Sequence, residues 1–246
     1  MTSIHETFLA ALSAYAHDER ARFNAKLVPT IAPERFMGVS MSNLRKTVRN
    51  LQKDYSDQVF LAALPHPVVE ADLVHMMLLN EITDADIWEQ KMEEFLPYVD
   101  NWMVADAVNP RVVYERPESV RAYAYRWLAS GDYYSVRVGV VILLLAAQKG
   151  FFVDEDMSRI IHLSSDFFRV GTQRDGNYYV TMACAWYLAT VFEKEPLHIR
   201  SFLEGPNERI VLKKYTLRKI LESRKTSNED RIWLKELRLR MKTRNH

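Results

Sequence analysis

The chain has 246 residues, of which 48% are hydrophobic and 26% charged, a composition typical of a globular protein rather than a disordered chain. Only seven residues are glycine, and because tight strand turns and phosphate-binding loops draw on glycine, all-β and Rossmann-type folds are both disfavoured. The single cysteine, Cys184, excludes an intramolecular disulfide and a CxxC metal site, so we expect an intracellular protein.

The net charge of +1 conceals an asymmetry along the chain. Residues 208–246 contain 13 Lys or Arg and 5 Asp or Glu, a net charge of +8, whereas residues 1–207 carry a net charge of −7. A basic segment of this kind indicates an anionic partner only weakly, because a pair of solvated charged helices would have the same composition.

Apolar residues recur at helical spacing along almost the whole chain. In residues 42–53, for example, Leu44, Val48 and Leu51 form one stripe, and basic residues occupy the other faces. The pattern predicts helices over residues 3–15, 42–53, 57–63, 67–81, 84–95, 117–129, 136–149, 155–165, 177–193, 209–224 and 228–242. The longest apolar run, residues 138–147, is half the length that a membrane span requires, and residues 1–10 lack the pattern of a signal peptide.

Two segments of the chain resemble each other. Residues 132–140 and 177–185 both begin with a polar residue and a pair of tyrosines and continue as an apolar helix, and their starts lie 45 residues apart. This period falls within that of HEAT and armadillo repeats. We therefore predict a single all-α domain over residues 1–246, built as a curved solenoid of stacked HEAT-like antiparallel helix pairs.

Familiar catalytic and metal-binding motifs are missing. The seven histidines have no paired ligand spacing, and HExxH, GxSxG, a Walker loop and GxGxxG are all absent, so we expect no metal and no cofactor. The acidic clusters at residues 84–86 and 154–156 open predicted helices, where carboxylates cap the helix and oppose its dipole.

The segment 99–110 combines an acid with apolar neighbours. We expect Asp100 to cap a helix that ends at Asn109 and Pro110, and this helix places Trp102 and Asp106 one turn apart on one face. An ionised carboxylate among apolar residues must find a cation or a hydrogen bond. On spacing alone, an Asp that caps a neighbouring helix beside a core Trp is the more common arrangement.

Residues 101–106 (Asn-Trp-Met-Val-Ala-Asp) resemble the Trp-x-x-x-Asp element of the AlkD-type DNA alkylation repair family, which are DNA glycosylases built from HEAT-like repeats. The likeness continues in chain order through residues 36–45, 134–143, 178–186 and 213–223. It covers the chain from about residue 20 to residue 240.

The resemblance implies a DNA glycosylase that hydrolyses the N-glycosidic bond of cationic alkylated purines, such as 3-methyladenine and 7-methylguanine, in duplex DNA. It implies a catalytic carboxylate at Asp106, DNA-facing tryptophans at Trp102 and Trp186, and an arginine that contacts the DNA backbone at Arg137. The alternatives from the residues alone are that Trp186 is a core residue and that Arg137 is the partner of a nearby carboxylate.

Phosphate contacts are expected from basic side chains on predicted helices, namely Arg45, Lys46, Lys213, Lys214 and Arg218. We expect a monomer that acts in the cytoplasm and at the nucleoid when bound to damaged duplex DNA. The acidic body of the chain leaves an alternative open, a HEAT-repeat module that binds DNA or scaffolds proteins without catalysis.

Overall fold

The computed structural model describes residues 4–53, 56–173, 175–206 and 208–243. Within these residues the secondary structure is helical, with no strand, and this confirms the predicted all-α fold. The contacts divide the chain into two compact units, residues 1–116 and residues 117–246.

The described residues of unit 1 (residues 1–116) form eight helices. They are α1 (Ile4–Ser13), α2 (Asp18–Leu27), α3 (Met41–Leu51), α4 (Asp57–Leu61), α5 (Val69–Asn80), α6 (Ala85–Phe95), α7 (Trp102–Ala105) and α8 (Val112–Glu115). Helix α5 is central, because it packs against α3, α4, α6 and α7, and ten of its twelve residues are buried. A helix that is covered on every side has no polar face, and α5 accordingly lacks a single apolar stripe.

The described residues of unit 2 (residues 117–246) form seven helices. They are α9 (Pro117–Leu128), α10 (Tyr133–Gln148), α11 (Asp154–Ile161), α12 (Gly176–Phe192), α13 (Pro196–Glu204), α14 (Ile210–Glu222) and α15 (Asn228–Thr243). Helix α10 packs between α9 and α12, and α12 packs against α14. Gly139 on α10 allows the close approach to α9, since a Cβ atom there would lie 2.9 Å from the carbonyl oxygen of Ala124.

Every helix predicted from periodicity is present, and the two similar segments begin the neighbouring helices α10 and α12. The curved solenoid and the single domain stay predictions. The Leu51 side chain, part of the predicted stripe, lies outside the described part of the chain. Among the described residues, none of the helices has the length and apolar character needed to cross a membrane.

Three helices were missed by the sequence pattern. No residue of α2 is buried, so α2 has no apolar stripe to detect. Helix α8 has four residues, and α13 buries only Ile199 and Leu203, so neither contains enough apolar positions to establish a period.

Three histidines form a hydrogen-bonded chain inside unit 1. Nε2 of His5 lies 2.9 Å from Nδ1 of His66, and Nε2 of His66 lies 2.9 Å from Nδ1 of His75. The ring of Phe60 stacks on His66, and the ring of Phe95 stacks on His75 at a centroid distance of 3.9 Å. Burial is the main cause that lowers the pKa of both His66 and His75 to about 3, so both rings are neutral at physiological pH.

We expect acid to destabilise unit 1 through these two rings. A histidine of the unfolded chain takes up a proton near pH 6.5, whereas the buried ring does not. The free energy of unfolding is therefore highest above pH 6.5 and decreases as the pH falls below it. Each ring should lower the free energy of unfolding by about 1 kcal/mol between about pH 6.5 and 5.5. Chemical denaturation at the two pH values measures this loss.

Burial raises the pKa of Asp72 to about 8, so the protonated carboxyl of the folded protein increases the free energy of unfolding as the pH falls and opposes the effect of the histidines. The wild type is therefore compared with His75→Asn, in which Asp72 is unchanged. The wild-type protein should lose about 1 kcal/mol more than the His75→Asn variant over this range. His162→Gln, at an exposed position, is the control and should behave as the wild type. An equal pH dependence in wild type and His75→Asn would contradict the expectation.

Candidate functional site

A glycine-dependent loop sets the start of α3. Gly38 has φ +74°, and a Cβ atom there would lie 2.2 Å from the carbonyl oxygen of His17. The buried carboxylate of Glu70, on α5, accepts the N–H of Gly38 at 2.7 Å and also accepts the N–H groups of Met37 and Val39. Helix α5 therefore fixes the loop that leads into α3.

The start of α7 is fixed by Asn101 rather than by Asp100. The buried Asn101 side chain accepts the N–H of Val104 at 3.0 Å, which is the bond of a helix cap. Asp100 pairs instead with the guanidinium of Arg35, which also binds Asp72 of α5 at 2.7 Å. The predicted cap was therefore wrong by one residue, because the ion pair with Arg35 orients Asp100 away from the helix terminus.

Helix α7 is shorter than predicted, yet it keeps the expected pairing of Trp102 with Asp106. The helix ends at Ala105, and Asp106 is the C-cap residue that follows it. The N–H of Asp106 donates to the carbonyl oxygen of Trp102 at 2.9 Å, so the two residues lie one turn apart. The half-buried indole of Trp102 donates through Nε1 to the carbonyl oxygen of Leu27 at 3.1 Å. Helix α2 thus orients Trp102.

Asn80, the last residue of α5, holds the segment that follows Asp106. Its Nδ2 donates to the carbonyl oxygen of Ala107 at 2.8 Å, and its Oδ1 accepts the N–H of Asn109 at 2.8 Å. Its carbonyl oxygen also accepts the N–H of Arg111 at 3.2 Å. In the sequence, Asn80 is marked only as an amide at the end of an apolar helix, and this does not identify its partners.

Asp106 lines a groove in unit 1 with a volume of about 750 Å³. The groove lies between one face of α3, the end of α5 and the segment after α7. Arg45 and Arg49 line it from α3, while Asp106 and Glu81 contribute carboxylates. Arg49 was missed by the sequence analysis, although its position four residues after Arg45 places it on the same helix face. We call this feature the Asp106 groove.

Lys46 was predicted together with Arg45, but the two side chains leave α3 in different directions. The ammonium of Lys46 lies over the ring of Tyr15, 5.4 Å from its centroid, and Lys46 is not among the residues that line the Asp106 groove. Within unit 1, the structure thus places Asp106 and Arg45 in one groove and keeps Trp102 one helical turn before Asp106.

Arg137 and Trp186 belong to unit 2. Arg137 on α10 is buried, and its Nη1 donates to the carbonyl oxygen of Tyr179 on α12. Trp186 on α12 is 37% exposed although Ala185 and Tyr187 beside it are buried, so Trp186 lies on the outer face of that helix. The exposure differs from that of a core residue.

The three basic residues predicted on α14 have different environments. Lys213 is only 2% exposed, and its ammonium donates to the carbonyl oxygens of Gly205 at 3.1 Å and Pro206 at 2.7 Å. Burial lowers the pKa of Lys213. Lys214 and Arg218 are exposed, and Arg218 pairs with a neighbouring carboxylate on α14 at 2.8 Å. Lys213 therefore closes the connection between α13 and α14 instead of presenting its charge to solvent.

In the described part of the chain, no group of three or more His, Cys, Asp or Glu side chains is arranged to hold a metal ion. The family model described as DNA alkylation repair enzyme matches residues 8–223. The match spans most of the sequence, and the chain therefore belongs to the DNA alkylation repair enzyme family. No curated protein matches the chain.

We expect Asn80→Ala to loosen the segment that carries Asp106. The substitution removes the hydrogen bonds to the carbonyl of Ala107 and to the exposed N–H of Asn109, and water can replace part of each, so we expect a loss of about 1 kcal/mol in the free energy of unfolding. Denaturant titration gives the stability, and hydrogen exchange at the Asn109 amide should accelerate. Asn50→Ala, at an exposed position on α3, is the control and should leave both measurements near those of wild type.

Lys213 and Lys214 are adjacent in sequence, yet their substitutions should have opposite consequences. Lys213→Gln removes a buried ammonium from two carbonyls and should cost roughly 2 kcal/mol of stability. Lys214→Gln should leave stability unchanged, because its side chain is exposed. Thermal melting of the two variants measures the difference, and equal melting temperatures would contradict this role of Lys213.

Proposed function

We propose that the protein is a DNA glycosylase that releases cationic alkylated purines, such as 3-methyladenine and 7-methylguanine, from duplex DNA. The observation that carries the proposal is the placement of Asp106 in a groove that also contains two arginines, one turn after an indole held by a backbone carbonyl. Membership of the DNA alkylation repair family supports damaged DNA as the partner.

The release of a cationic base requires a carboxylate near the sugar, and Asp106 would supply it in the groove. An alkylated purine carries a positive charge and is already a good leaving group, so its departure requires no general acid. As the glycosidic bond breaks, positive charge develops on the sugar, and the Asp106 carboxylate would stabilise that charge or orient the attacking water. An opposite charge about 4 Å away at an effective dielectric constant of 20 contributes about 4 kcal/mol, or roughly a thousandfold in rate.

The tryptophans would recognise the charge of the lesion. An indole face attracts a cation by about 0.5–2 kcal/mol, which favours alkylated over neutral bases. Trp102 is oriented by its bond to Leu27, and Trp186 is exposed on α12, so both indoles have surface available for contact. Arg137 is buried and donates to the carbonyl oxygen of Tyr179, so we assign it to the position of α12, the helix that carries Trp186. A direct contact between Arg137 and the DNA backbone would require its side chain to leave this bond.

The decisive test compares two carboxylates of the Asp106 groove. Asp106→Asn should reduce the single-turnover rate of 7-methylguanine release by about a hundredfold or more, with little change in DNA affinity, because the charge acts only as the bond breaks. Glu81→Gln removes a negative charge from the same groove and is the matched control, with a rate near that of wild type. Circular dichroism of each variant verifies folding.

Three outcomes decide between catalysis and binding alone. Equal rates for folded Asp106→Asn and wild type would disprove the assignment of the catalytic residue. An equal reduction of the single-turnover rate in Asp106→Asn and Glu81→Gln would show that the groove acts through its total charge. A wild-type protein that binds duplex DNA but releases no base would establish the alternative, a DNA-binding module without catalysis.

A further inference from the structure

The Asp106 groove presents two cations on one helix face. Arg45 and Arg49 are both exposed, both line the groove, and neither makes an ion pair with any residue that the structure describes. Residues four apart on a helix have Cβ atoms about 5–6 Å apart on the same face. Two positive charges on neighbouring turns of one helix repel each other, so the surface favours a ligand that brings more than one negative charge.

The nature of the two cations narrows the ligand further. A guanidinium is a planar fork that matches the oxygens of a phosphate and forms two parallel hydrogen bonds with it. Consecutive phosphates of one DNA strand carry one negative charge each at a regular spacing. Two guanidinium groups on neighbouring turns of a helix can bind two such phosphates. Asp106 lines the same groove, whose volume of about 750 Å³ is large enough to hold a sugar.

We propose that Arg45 and Arg49 hold two consecutive phosphates of the DNA strand whose sugar faces Asp106. The proposal rests on the proposed function for the identity of the partner, duplex DNA, but it does not depend on base release. It assigns the phosphate contacts of the groove to unit 1, in which α3 is fixed through the loop that Glu70 holds. It also adds Arg49 to the residues expected from the sequence.

Lys46 was expected from the sequence to contact phosphate, but its side chain leaves α3 away from the Asp106 groove, so Lys46 is the matched control on the same helix. It is adjacent to Arg45 in sequence, is exposed and carries the same charge, but its ammonium lies over the ring of Tyr15 and outside the groove. If the arginines acted only through the total charge of α3, Lys46→Gln would weaken DNA binding as much as the arginine variants do. If the arginines contact phosphates directly, Lys46→Gln would leave DNA binding unchanged.

The experiment measures affinity for an undamaged duplex of fixed length over a range of salt concentrations. Each phosphate contact contributes about 0.9 to the slope of log affinity against log salt. Arg45→Gln and Arg49→Gln should each reduce the magnitude of the slope by about 0.9, the double variant by about 1.8, and Lys46→Gln by nothing measurable. Thermal melting verifies that each variant is folded.

A folded double variant with the wild-type slope would overturn the proposal, and so would a Lys46→Gln variant that changes the slope as much as Arg49→Gln does. A double variant that changes the slope no more than one single variant would overturn the assignment of two phosphates. The catalytic role of Asp106 is judged separately by base release. Normal base release by the wild type together with the wild-type slope in the folded double variant would overturn this proposal alone. Reduced slopes in the arginine variants together with a wild-type rate of base release by Asp106→Asn would overturn the catalytic assignment alone.

Discussion

The architecture of unit 1 depends on the cost of burying polar groups on α5. Ten of the twelve residues of this helix are buried, and polar side chains stand among them. A buried polar group without a partner is costly, so each of these side chains fixes another segment in place. The buried Glu70 binds the loop before α3 and the buried Asp72 binds Arg35, while the partly buried Asn80 at the end of α5 binds the segment after Asp106. The walls of the Asp106 groove are the segments that α5 holds.

Periodicity predicted the long helices because burial selects apolar residues at a fixed spacing, and it predicted the pairing of Trp102 with Asp106 because that pairing is local. It could not predict which segment would satisfy Asn80, because the partners lie 27 and 29 residues further along the chain. The choice between Asp100 and Asn101 as the cap was equally non-local, since it depends on Arg35, 65 residues away.

Charge alone was a poor guide to which cations are available to a ligand. Lys213 lies in the basic C-terminal segment, yet its ammonium is bound by backbone carbonyls, because a buried cation requires full hydrogen bonding. Arg49 lies outside the basic C-terminal segment, in the part of the chain (residues 1–207) whose net charge is negative, and yet it lines the Asp106 groove. Net charge counts side chains, whereas a phosphate contact depends on the direction in which each side chain leaves its helix.

The hydrogen bond between Trp102 and the carbonyl of Leu27 makes the orientation of this indole depend on α2, a helix of low local stability. No residue of α2 is buried, and its Phe23 is 59% exposed, so little apolar burial opposes its local opening. An opening of α2 would release the indole while α5 and the Asp106 groove stay folded. Warming would therefore reduce the fraction of molecules with an oriented Trp102 well below the melting temperature of the protein, and the thermal limit of the site would be set by α2.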